Sequence, residues 1–93
     1  MYNRYFSLEI NTTTRTMLKR AERFKQWLID NDYKTETSGC FNCVHFDIYI
    51  ESHERFLKAN KAIDEIVCFD MIWFFNVYTM LLKNLTFKGI NKR

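Results

Sequence analysis

Residues 66–82, IVCFDMIWFFNVYTMLL, constrain this chain more than any other stretch, because Asp70 is their only charged side chain. So apolar a run does not stay in water. The rest of the chain, a second copy or a partner must cover it. Its period is ambiguous. As a helix capped by Asp70, it sets Met71, Phe74, Phe75, Tyr78, Leu81 and Leu82 against a narrow polar side of Asn76, Thr79 and Lys83. As a strand, Met71, Trp73, Phe75 and Val77 oppose Ile72, Phe74, Asn76 and Tyr78, apolar on both faces. Strands usually run about 5–6 residues, so length favours an apolar C-terminal helix over about 70–84, with a fourth strand as the alternative. Trp73, Phe74, Val77 and Tyr78 are the candidate oligomer interface. A membrane span is not expected: the uncharged run is shorter than the roughly 20 residues a helix needs to cross, and Asp70 and Asn76 are costly in lipid.

The upstream chain supplies the elements that can cover this run. Residues 5–10 alternate, with Phe6, Leu8 and Ile10 on one side and Tyr5, Ser7 and Glu9 on the other: a half-buried strand. The threonines at 12–14 offer N-caps. A helix follows over about 13–31, its stripe formed by Met17, Ala21, Phe24 and Leu28 and widened by Leu18 and Trp27. Asn31 and Asp32 suit its end. Residues 33–37 form a short strand. Residues 43–51 alternate most cleanly, with Val44, Phe46, Ile48 and Ile50 inward and His45, Asp47, Tyr49 and Glu51 outward. A turn at Phe41-Asn42 would set Glu36 opposite Asp47, a like-charge pair, so the turn is expected at Ser38-Gly39. Ser52 caps a second helix to about Val67, with Phe56, Ala59, Ile63 and Ile66 on one face.

Ninety-three residues make one domain, and the tail 86–93 is expected to be mobile, with an edge strand possible within 86–90. The order strand, helix, strand, strand, helix predicts an α+β fold of split β-α-β, ferredoxin-like type.

The formal net charge is only +3, well short of a dedicated nucleic-acid arm, but it is unevenly spread. Basic residues dominate before Asp30, acids dominate from there to Asp70, and only basic residues follow. Arg15, Lys19 and Arg23 form an i, i+4, i+8 row which, with Arg20, is the candidate partner-binding surface. Residues 1–10 show no apolar h-region, so no signal peptide is expected. Three cysteines, an odd number, suggest free thiols and a reducing, cytoplasmic setting.

Chemistry-bearing motifs are sparse. Cys40, Cys43, His45 and Cys68 could together supply four zinc ligands, but no second C-x-x-C or H-x-x-H pair supports them, so no metal or other cofactor is expected. Glycine-rich phosphate loops, nucleophile elbows and paired helical histidines are absent. Val44-His45-Phe46-Asp47-Ile48 resembles, in part, the metal-binding strand of HUH-type single-strand endonucleases, with Asp47 where the second histidine belongs. That resemblance implies a nucleophilic tyrosine on a later helix, for which Tyr78 with Lys83 would stand, though outside the family's Tyr-x-x-Lys spacing. The expected function is therefore non-enzymatic. The chain reads as a small protein-binding module, a phage or mobile-element accessory that binds and inhibits a host protein or ribonucleoprotein, as anti-CRISPR proteins do. The alternative is RNA or DNA binding through the sheet face, where Tyr5 and Tyr49 could stack bases, or through the first helix.

Overall fold

The computed structural model describes the backbone of residues 4–81 and 84–87; within these, the side chains of residues 4, 40, 69, 77–81 and 84–87 are not described. Five strands form one sheet: β1 (Arg4–Asn11), β2 (Lys34–Cys40), β3 (Cys43–Ile50), β4 (Ile72–Leu81) and β5 (Asn84–Phe87). Their spatial order is β2-β3-β1-β4-β5, and every neighbouring pair is antiparallel. Helices α1 (Arg15–Asp30) and α2 (His53–Ala62) cross between strands, and a π-helical turn extends α2 through Ile63–Val67. The fold is a small α+β domain.

Local chemistry accounts for the helix ends. The Thr14 side chain accepts from the Met17 amide, and Ser52 accepts from that of Arg55, each meeting one of the donors a helix start leaves open. Asp32, at φ 60°, takes the left-handed residue that ends α1.

The helices cover one face of the sheet. Phe6, Leu8 and Ile10 of β1 and Phe46, Ile48 and Ile50 of β3 are buried with Ala21, Phe24 and Leu28 of α1 and with Ala59, Ala62 and Ile63. Ring contacts lock the layers, among them Phe6 on Phe56 at 5.1 Å and Phe24 edge-on to Phe46 at 5.4 Å, arrangements that add to plain area burial. The Tyr33 hydroxyl donates to the Arg55 carbonyl (2.9 Å), and the Arg55 guanidinium returns over the Tyr33 ring at 3.9 Å. Burial raises the Tyr33 phenol above its ordinary range, against a smaller lowering by Arg55.

Three expectations are corrected here. The apolar stretch is strand β4, not a helix. It fills the place beside β1, pairing Phe75 with Leu8 and Ile72 with Ile10, and the register shifts between them so that Trp73 is the extra residue. This bulge reverses the inside–outside alternation, so Ile72 and Phe75 are both buried although three apart. A single strand thus imitated a helical period. Trp73 is left 42% exposed.

The β2–β3 turn lies at Phe41-Asn42, with Asn42 at φ 64°; β2 runs to Cys40, and Glu36 does stand opposite Asp47. The third correction concerns thiols. Cys43 is disulfide-bonded, while Cys68 is free. The tight turn sets backbone positions 40 and 43 opposite each other. Of the expected tail, residues 86 and 87 belong to β5; residues 88–93 lie outside the described residues. Among the described residues, no helix is long and apolar enough to cross a membrane.

Candidate functional site: the uncovered sheet face

The sheet face opposite the helices carries the outward positions of every long strand. Strand register arranges them in three rows. Lys34, Tyr49, Tyr5 and position 78 make one row; Glu36, Asp47, Ser7 and Asn76 make the next; Ser38, His45, Glu9 and Phe74 make the third.

His45 is the hub. Its Nε2 lies 2.9 Å from Asp47 Oδ1 and 3.2 Å from Ser7 Oγ, and its Nδ1 lies 3.4 Å from Glu9 Oε2. Serine, imidazole and carboxylate thus follow the atom order of a nucleophile relay. Asp47 changes that chemistry. An ionised carboxylate only accepts, so the nearer Asp47 takes the proton of Nε2, and that nitrogen cannot also receive the Ser7 proton. Both carboxylate contacts are hydrogen bonds only when the ring is doubly protonated. The imidazole thus lies between two carboxylates, and with Asp47 on Nε2 the arrangement does not poise Ser7, itself buried, for proton transfer to that nitrogen.

The Tyr49 hydroxyl donates to the Glu36 carboxylate. Burial first, then the Glu36 and Asp47 charges, raise the Tyr49 phenol above its ordinary value. The Tyr5 and Tyr49 rings meet at 5.1 Å. Asn76, beside Ser7, is buried, and its Oδ1 finds no donor among the described residues, an unmet acceptor of the kind that costs about 1–3 kcal/mol.

The residues singled out in the sequence are dispersed. Arg15, Lys19 and Arg23 lie exposed along α1, on the other side of the domain. Arg20 leaves that row: it is half-buried, with Nη1 3.5 Å from Cys68 Sγ. Of the expected oligomer interface, Phe74 lies on the open face, Trp73 is at the bulge, and the backbone of Val77 pairs with that of Phe6; the side chains of Val77 and Tyr78 lie outside those described. Tyr78 sits on a strand, not on the helix that the endonuclease resemblance implies, and Lys83 lies outside the described residues. The zinc candidates are not assembled: Cys43 is in its disulfide, His45 is held on the open face, and Cys68 follows the π-helical turn. Among the described residues, no group of three or more histidine, cysteine or acidic side chains is placed to hold a metal.

Sequence reasoning considered a shared outer face for Tyr5, Glu9, Asp47 and Tyr49, and set aside the Phe41-Asn42 turn that puts Glu36 opposite Asp47; it missed the contacts of His45 with Ser7 and Glu9. The alternation in residues 5–10 carried part of that signal; the strand order supplied the rest. No family model, curated protein or solved structure matches this chain.

Proposed function

We propose that this chain is a non-enzymatic protein-binding module of split β-α-β, ferredoxin-like type, which docks a partner's basic surface on its uncovered sheet face. The strand order and antiparallel pairing support the fold assignment. One observation carries the functional reading: that face combines the Tyr5 and Tyr49 rings with the carboxylates of Glu9, Glu36 and Asp47. Aromatic rings beside carboxylates suit lysine and arginine side chains. The same carboxylates repel phosphate, which disfavours nucleic acid on this face despite the rings. A host protein with a basic surface is the proposed partner, and occupation of that surface would be the means of inhibiting it.

The exposed row Arg15, Lys19 and Arg23 favours a second reading, in which α1 holds an acidic partner or nucleic acid. The two readings separate in one experiment. An arginine-rich peptide and a single-stranded oligonucleotide are titrated against the wild-type chain, a Glu9→Lys/Tyr49→Ser variant and a Lys19→Glu/Arg23→Glu variant, each checked for fold by circular dichroism. The proposal expects the peptide to bind and the first variant alone to lose it. Oligonucleotide binding that falls steeply with salt and is lost in the second variant would replace it with the α1 reading.

A further inference from the structure

The flank formed by β2 and α1 is unfinished. Among the described residues β2 pairs only with β3, so its outer edge presents backbone donors and acceptors to no other described strand. Edges of this kind are templates for another strand. On the helix side, the β2 positions are Thr35, Thr37 and Gly39, too small to fill the space under α1. A cleft of about 200 Å³ remains there, lined by Leu18, Ala21, Thr37, Gly39, Val44 and Phe46 among others. A Cβ placed on Gly39 would meet nothing within 4 Å.

The α1 face above this edge is also incomplete. Leu18, Glu22, Lys25 and Ile29 follow i, i+4, i+7 and i+11 spacing, one stripe. Leu18, Glu22 and Lys25 line the cleft, which fixes the direction of the stripe. Leu18 is 41% and Ile29 56% exposed, the two large apolar side chains that α1 leaves in solvent.

We propose that a second copy of this chain completes the flank. The two copies pair β2 with β2 about a two-fold axis perpendicular to the sheet, joining their sheets into one. Charge selects the register. Centring the axis on Thr35 sets Lys34 of each copy opposite Glu36 of the other, forming two unlike pairs. Centring it on Lys34 or Glu36 sets like charges face to face, and centring it on Thr37 pairs Glu36 with Ser38. In the Thr35 register each Glu36, which within its own chain stands opposite Asp47, gains a cation. Thr35 meets Thr35, a favourable cross-strand pair. The helices lie on the same side of the joined sheet, so the Leu18–Ile29 stripes of the two copies face each other and close the cleft. An isologous contact of this kind is self-limiting. It joins the two open faces edge to edge, with Lys34 and Glu36 at the seam and Glu9, Tyr5 and Tyr49 away from it.

The test is sedimentation of the full chain. The wild type is expected to run as a dimer. Lys34→Glu and Glu36→Lys are each expected to weaken association at least tenfold, and the double exchange Lys34→Glu/Glu36→Lys to restore it. Glu36→Lys also removes the clash with Asp47, so loss of folding does not confound it. As a second readout, Thr35→Cys places two thiols across the axis at disulfide range and is expected to yield a covalent dimer under mild oxidant, which the wild type does not. A wild-type monomer would overturn the proposal and leave the edge to a strand from a different protein. A dimer indifferent to Lys34→Glu and to the exchange would overturn it as well.

Discussion

Glu36 and Asp47 stand directly opposite each other across the β2–β3 pair, two like charges where the hairpin could in principle have slipped to part them. The register holds because the core face outvotes the open face. Because β3 is held by β1, slipping by one residue would turn Lys34, Glu36 and Ser38 of β2 onto the helix side, and burying unpaired charge there costs far more than the few tenths of an exposed like-charge pair. Glu36→Gln is therefore expected to stabilise the domain by about 0.2–0.5 kcal/mol, read as an increased urea midpoint on dilute protein, where association does not contribute. A decreased midpoint would mean that the charge-assisted hydrogen bond from Tyr49 outweighs the repulsion from Asp47.

Burial gives the domain an alkaline limb of stability, to which the same two carboxylates add at Tyr49. Tyr49 and Tyr33 both have phenols raised above the ordinary 10.0. The folded chain holds those protons more tightly than the unfolded one, so their contribution is complete below pH 10 and declines as pH rises through the raised values. Denaturation midpoints measured from pH 8 upward are expected to fall above about pH 10, less steeply in Tyr49→Phe. An identical slope in that variant would remove Tyr49 as a cause.

His45 sits between Glu9 and Asp47, half-exposed, so its worth is that of a screened surface network. His45→Gln is expected to lose about 0.5–1 kcal/mol, and part of that loss should be recovered with added salt, which screens the carboxylates left facing one another. A loss that salt does not touch would indicate packing and not charge.

Asn76 is a buried polar group whose Oδ1 has no donor among the described residues. Asn76→Leu, of similar volume, is expected to be neutral or to stabilise by about 1 kcal/mol. Destabilisation by more than that would show that the amide meets a donor in solution, and amide exchange or the side-chain NH₂ resonances of Asn76 would locate it.

Much of the site was legible in the chain, element by element. Alternation in residues 5–10 and 43–51 assigned Ser7 and Glu9 to one outer face and His45, Asp47 and Tyr49 to another. The split β-α-β order lets these two faces be one, as expected for Tyr5 and Tyr49, but no local pattern sets which residues meet across it. That depends on β1 lying next to β3, a contact spanning some forty positions, and on a register set by Phe6 with Ile48 and Leu8 with Phe46. The bulge at Trp73 hid β4 for a related reason, since its two apolar sides match a helix until β1 is present beside it.

By itself the sequence determined the two capped helices, the alternation of β1 and β3 and the apolar character of the C-terminal third. These depend on backbone preference and side-chain period within a few residues. Only the tertiary structure decided that this third is a strand, that the hairpin turns at Phe41-Asn42 over a like-charge pair, and that Ser7, Glu9, His45 and Asp47 converge. Each of these is set by burying apolar side chains against distant strands, and that free energy exceeds the local preferences it overrides.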